Sequence, residues 1–267
     1  MPHFDHHGCS LHYTDHGQGT PVLLVHGLGS SLDDWEYQTP ALLAEHRVIC
    51  VDVRGHGRSA KPRERYSVAK FAADTAALLR HLGCGPVHYV GLSMGGMIGF
   101  QLAVDHPALL RSLCIVNSGP QLVLRGPGDY WQWFKRWSLL HLVSMRRIGE
   151  VLGARMFPLP AQASLRQRVA ERWAGNDKRA YVASFNALVG WSIQERIGEI
   201  GCPTLIVSGD RDYTPVALKA RYTAMMAHAR LEVIADSRHA TPLDQPERFN
   251  HVLLQFIAAV DSTFKDP

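Results

Sequence analysis

The sequence predicts an α/β fold, a mostly parallel sheet with helices on its faces. Three observations carry that prediction. Six short runs rich in Val, Ile and Leu read as strands: Val22–His26, Val48–Asp52, Val87–Gly91, Leu113–Asn117, Thr204–Ser208 and Leu231–Ala235. They are apolar almost throughout, as strands buried on both faces are. Longer helical patterns alternate with them, which is the signature of parallel strands joined by crossover helices. The composition, 46% hydrophobic and 19% charged over 267 residues, is that of a globular chain able to bury a large core.

Taken in order, Leu11–Asp15 and the residues before it form an antiparallel edge closed by the turn His16-Gly17-Gln18-Gly19. Ser67–Leu82 carries apolar residues at helical spacing and stops at Gly83. After Asn117 the alternation breaks. Residues 120–200 look helical, contain no convincing parallel strand, and read as a lid inserted after the fourth of these strands, dividing the chain into a core of 1–119 and 201–267 and a lid of 120–200. The lid holds five of the six tryptophans and twelve Lys or Arg against six Asp or Glu. Burial against the main domain is the expected fate of most of those tryptophans. The alternation then resumes, with helices at Pro215–Met226 and Pro246–Val260.

Charge and patterning exclude several partners. A net charge of +4 is mild and dispersed, so no nucleic acid is expected. The uncharged run from Val87 to Val104 contains four glycines, a His, a Ser and a Gln, which argues against a membrane span. The first ten residues lack the basic segment and apolar core of a secretory signal, and five scattered cysteines form no C-x-x-C pair. A cytoplasmic protein with reduced thiols is the expectation, and a homo-oligomer stays open. His3, His6, His7, His12 and His16 match no metal-ligand spacing and read as a solvated edge.

Chemistry concentrates in a few strings. Val87–Met97 is a strand running through Gly91-Leu92-Ser93-Met94-Gly95 into a helix, a nucleophile elbow. The flanking glycines allow the tight turn that lifts the Ser93 hydroxyl clear, and the Met94 amide at the helix start is aimed to donate to a developing oxyanion. His26-Gly27-Leu28-Gly29 ends a buried strand in a glycine-bounded turn whose Leu28 amide supplies the second donor, while His26 reads as structural. There is no G-x-G-x-x-G for a dinucleotide and no Lys after Gly96 for a phosphate loop.

Together with Asp52-Val53-Arg54-Gly55-His56-Gly57-Arg58-Ser59, which resembles a D-x-R-G-x-G-x-S brace, these strings resemble an α/β-hydrolase-fold serine hydrolase over nearly the full length. The resemblance implies that acid and base follow the nucleophile in chain order. Gly209-Asp210-Arg211-Asp212 fits the acid loop, with Pro215 one residue closer than in the family's pattern, and makes Asp212 the acid with Asp210 as runner-up. His239 falls at the position of the catalytic histidine. The loop departs from the family at Arg238, where Gly is usual, and at Asp244, where Glu is usual.

The resemblance implies cleavage of a small or medium carboxylic ester through an acyl-enzyme, with no metal or organic cofactor. The GLSMGGM string also resembles that of enol-lactonases, so a lactone is the nearest alternative. Carbon–carbon bond hydrolases and cofactor-free perhydrolases use the same triad, and a small-molecule sensor with slow turnover is the alternative from another class. The basic charge of the lid reads first as a solvated helix face, with a substrate or product bearing a carboxylate as the alternative.

Overall fold

A computed structural model of the chain describes residues 2–264. The strands are β1 (His3–His6), β2 (Cys9–His16), β3 (Thr20–Val25), β4 (His46–Val51), β5 (Val87–Leu92), β6 (Leu110–Val116), β7 (Thr204–Gly209) and β8 (Ala229–Ile234). The helices are α1 (Gln38–Leu42), α2 (Val68–His81), α3 (Met94–Asp105), α4 (Pro127–Leu142), α5 (Met145–Met156), α6 (Ala163–Ala174), α7 (Lys178–Leu188), α8 (Val216–Thr223), α9 (Thr241–Asp244) and α10 (Pro246–Thr263). All eight strands join one sheet in the order β1-β2-β4-β3-β5-β6-β7-β8. The β1–β2 and β2–β4 pairs are antiparallel and the rest are parallel.

The continuous apolar runs have their reason in this layering. Along β3, Val22 and Leu24 pack with Trp35, Leu42 and the α10 residues Phe249 and Leu253, whereas Leu23 and Val25 pack with Phe71 of α2 and Ile98 of α3. Each central strand therefore meets helices on both sides, and a polar residue on either face would be stranded. Between β6 and β7 the chain runs through α4–α7, whose ends are joined by an antiparallel bridge between Gln121 and Ser192. A third apolar cluster, including Leu140, Ile148, Trp173, Tyr181 and Phe185, also takes in Ala240 and Leu243 from beyond β8.

One expectation is corrected. The amino-terminal histidines are not all solvated: His12 is fully buried, with Nδ1 2.8 Å from Asp52 Oδ2. The reason is the loop after β4, which lies over β2 through Asp52 N–H donating to the His12 carbonyl and Ala60 N–H to that of Ser10. Three of the five tryptophans in 120–200, Trp133, Trp173 and Trp191, do pack against apolar clusters. Trp173 is buried and Trp191 donates to Gln101 at 2.7 Å, but Trp131 and Trp137 stand exposed on α4, of whose residues only Leu140 is buried.

The sheet order reverses between β3 and β5, since β3 leads to β4 on one side and β5 lies on the other. Such a switch opens a crevice at the carboxyl ends of the strands. Just beyond β6, Asn117 ties the neighbouring loops together. Its carboxamide Nδ2 lies 3.0 Å from the Arg238 carbonyl, 2.9 Å from that of His239 and 2.7 Å from Thr241 Oγ1, while Oδ1 accepts from Gly209 N–H at 2.9 Å. Its backbone sits at φ +47°, where Asn is tolerated better than most side chains.

Replacing Asn117 with Ala leaves the Gly209 N–H and the His239 carbonyl without this partner, at a cost of about 2–3 kcal/mol. A thermal melt should show a drop of about 5–10 °C. A melt within a degree of wild type contradicts the tie. Buried histidines give a second expectation: burial pushes His56 down to about 3 and His88 down to about 4. Both fold neutral and protonate near ~6.5 when unfolded, so the stability they lend is complete above that pH and is lost as pH falls toward the folded values. The urea midpoint should decline from pH 7 to pH 5, by the equivalent of about 1–2 kcal/mol per histidine. The decline should be shallower in His88→Asn.

Candidate active site

The crevice is built from the turn after β5. Ser93 has φ +54° and ψ −111°, a strained conformation of the kind that persists only where its surroundings enforce it, at a cost of roughly 1–3 kcal/mol. Here they do. Ser93 N–H donates to the Val116 carbonyl at 2.9 Å, and the Ser93 carbonyl accepts from Ser118 Oγ at 2.6 Å and Met97 N–H at 3.1 Å. A Cβ at Gly91 would fall on the Gly95 carbonyl, and one at Gly95 on the carbonyl of Val25. The two glycines of the elbow are thus required by close approach of backbones.

Loops from three other strands converge on Ser93. His239, beyond β8, sets Nε2 2.9 Å from Ser93 Oγ and Nδ1 2.6 Å from Asp212 Oδ1. Asp212, beyond β7, has a fully buried side chain. Burial opposes its ionisation, but the hydrogen bonds and charges of His239 and Lys219 outweigh it and hold the carboxyl well below the usual carboxylate range. The turn beyond β3 presses close, for the Cβ position of Gly27 lies 3.4 Å from Ser93 Cβ. Leu28 in that turn lines the crevice, and Met94 is the first residue of α3. His26 is engaged elsewhere: Nε2 accepts from Val53 N–H at 3.0 Å, so Nδ1 carries the proton donated to the Gly27 carbonyl at 2.7 Å.

Of the sequence-predicted residues, Ser93, Asp212 and His239 come together and Asp210 does not. Asp210 instead accepts from Ser237 N–H at 3.0 Å, behind the His239 loop. Asp244 accepts from Arg238 N–H at 2.7 Å and Ser237 Oγ at 2.8 Å, so it shapes the same loop from the position where the resemblance has Glu. Arg238 is half-buried and is not among the residues lining the crevice. Asp52 is a brace, accepting from Leu32 N–H at 2.8 Å and Arg58 N–H at 2.9 Å.

Sequence reasoning missed three neighbours. Tyr213 stacks on His239 with ring centres 4.4 Å apart. Thr214 Oγ1 donates to Asp212 Oδ2 at 2.8 Å. Lys219 on α8 is fully buried, with Nζ 2.5 Å from Asp212 Oδ2 and 3.0 Å from the Thr214 carbonyl. Its signal was present in the spacing: Lys219, Tyr222 and Thr223 fall on one face of α8, and all three are buried.

Above Ser93 lies a cavity of about 320 Å³, walled mainly by apolar side chains including Met97, Met156, Val169, Trp173, Phe185 and Leu243. The α6 helix is tied to the turn beyond β3 by Arg172–Asp34 at 2.6 Å and by Asn176 Nδ2 donating to the Gly29 carbonyl at 2.6 Å. Arg136 also lines the cavity, its guanidinium 4.9 Å from the Phe185 ring centre, and meets no carboxylate among the described residues.

Comparison with known proteins agrees with this architecture. Residues 20–246 match the family model described as alpha/beta hydrolase fold. RutD of Variovorax paradoxus, named as a carbamate hydrolase, is 33% identical over 94% of this chain and 97% of its own. The 3-oxoadipate enol-lactonase 2 of Acinetobacter baylyi is 26% identical over 91% of each chain. A solved structure of a hydrolase from Pseudomonas aeruginosa superposes with a TM-score of 0.87 at 27% identity, covering 96% of this chain and 97% of that one. With most of its length inside that family model and a relative at 33% identity along nearly the whole chain, this protein belongs to the α/β-hydrolase-fold family and is a hydrolase.

Proposed function

We propose that the protein is a serine hydrolase cleaving a carboxylic ester or lactone through an acyl-enzyme. The observation that carries this reading is the continuous hydrogen-bonded line from Asp212 Oδ1 through His239 to Ser93 Oγ. His239 Nε2 takes the Ser93 proton as Oγ attacks the substrate carbonyl, and then returns it to the leaving oxygen. Asp212 fixes the Nδ1–H tautomer and stabilises the imidazolium. The N–H groups of Leu28 and Met94 receive the developing oxyanion, a role supported by the approach of Gly27 to Ser93 and by the start of α3 at Met94. Water then releases the acyl group by the same steps in reverse. Residues 120–200 serve as the lid that closes the apolar cavity over Ser93 and excludes bulk water. Free cysteines, four of them buried, fit the reducing cytoplasm expected for it, and among the described residues no helix is long and apolar enough to cross a membrane.

Arg136 favours a substrate that carries its own carboxylate, the possibility raised by the basic character of residues 120–200. It is a cation without a carboxylate partner in a mainly apolar wall, and it lies beside the buried Tyr181 hydroxyl. A substrate carboxylate would give Arg136 the charged acceptor it lacks.

Against 4-nitrophenyl esters from acetate to palmitate at neutral pH, wild type should turn over one range of chain length rapidly. Ser93→Ala should fall by at least ~10⁴-fold with unchanged circular dichroism, and Asp212→Asn by several powers of ten, against a few-fold for Asp210→Asn. An active Ser93→Ala chain refutes the site. For specificity, the mono-4-nitrophenyl ester of glutarate should be preferred over the neutral hexanoate by about 10–100-fold in kcat/KM. Arg136→Met should bring that ratio toward one. Equal ratios in the two chains exclude the carboxylate subsite.

A further inference from the structure

Asp212 carries more partners than an acyl-enzyme mechanism requires. Its Oδ1 faces His239, and Thr214 Oγ1 alone would satisfy and orient Oδ2. A lysine has nevertheless been buried against the same oxygen. Both side chains of the Lys219–Asp212 pair are fully inaccessible, and the ammonium is fixed by a second acceptor, the Thr214 carbonyl, and by its seat on the buried face of α8 with Tyr222 and Thr223. Burying an ammonium is expensive, and a neutral donor of similar length would fill the space without that cost. The feature that Lys219 adds is its charge.

We propose that Lys219 is a positioning residue of the hydrolytic site, whose ammonium neutralises Asp212 and thereby sets how readily His239 takes a proton. The proposal rests on the serine-hydrolase reading. A carboxylate left to itself raises the proton affinity of the imidazole it faces. A cation 2.5 Å from that carboxylate offsets the attraction and repels the imidazolium. His239 therefore remains neutral, and competent as a base, to a lower pH than Asp212 alone would allow. In exchange the imidazolium formed during attack is less strongly stabilised. The other groups around the pair are Tyr213 stacked on His239, Tyr222 on α8, and Arg136 of α4 and Arg155 of α5, whose charges act on Tyr213. Asp210 and Asp244 lie behind the loop, bound to Ser237 and Arg238.

The test compares wild type with Lys219→Met and Lys219→Arg. The acid limb of kcat/KM should move up by about one pH unit in Lys219→Met and stay near wild type in Lys219→Arg, which keeps the charge. A purely structural lysine predicts a lower rate at every pH with the limb unmoved, and that result overturns the proposal. The His239 ring is also titrated by NMR in Ser93→Ala, with and without Lys219→Met, a readout that needs no turnover. His239 should bind its proton more tightly without the lysine, and an unchanged midpoint overturns the proposal. Should Lys219→Met fail to fold, Lys219→Gln takes its place in both measurements under the same criteria. Absence of any Ser93-dependent turnover would count against the serine-hydrolase reading, while the NMR titration would still decide the role of Lys219.

Discussion

One buried negative charge organises the carboxyl edge of this sheet. Asp212 has a wholly inaccessible side chain, and an isolated carboxylate in such a place would give up its charge rather than remain ionised. It stays ionised because three donors converge on it, His239 on one oxygen and Thr214 and Lys219 on the other. That convergence fixes the His239 ring, and with it the direction in which Nε2 meets Ser93. The loop after β8 is held in turn by Asn117, Asp210 and Asp244, all of which bond to its backbone or to Ser237. Around the charge, each polar group has the next as its partner, which is how a buried network becomes rigid.

The second constraint is steric. The elbow at Ser93 exists because β3, β5 and α3 approach so closely that Gly91 and Gly95 have no room for a Cβ. The unfavourable backbone at Ser93 is held by Val116, Ser118 and Met97, residues that belong to β6, the turn after it, and α3. Strain at one residue is thus carried by the packing of the whole central sheet, and it lies at the point where the strand order reverses. Fold and crevice follow from the same arrangement.

Above this rigid floor the cavity wall comes from α4–α7, and it is a different kind of structure. Its apolar cluster is smaller, and it meets the core through Ala180 and Leu188 of α7, through Ala240 and Leu243, and through ion pairs and hydrogen bonds such as Arg172–Asp34 and Asn176–Gly29. The α4 helix turns an aromatic face outward, with Tyr130, Trp131 and Phe134 exposed. Among the described residues, Arg136 is the lining cation that lacks a carboxylate partner, and in the proposed mechanism it is the element of the roof that distinguishes one ester from another.

Much of this was legible in the sequence. Continuous apolar runs marked strands buried on both faces, and the glycines around Ser93 and Leu28 marked turns where backbones must approach. The resemblance to α/β-hydrolase-fold serine hydrolases implied Asp212 and His239 as acid and base. These are local signals, carried by residues close together in sequence. What only the tertiary structure decided depends on groups far apart in the chain. Asn117 reads as the end of a strand until the loops 92 and 122 residues away close upon it. His12 reads as one of a solvated cluster until the loop after β4 covers it. The spacing of Lys219, Tyr222 and Thr223 marks one face of α8, but not that the ammonium on it meets Asp212. In each case the partner arrives by folding, and spacing along the chain carries information about neighbours within a helical turn or a strand, not about which distant group a buried charge or amide will meet.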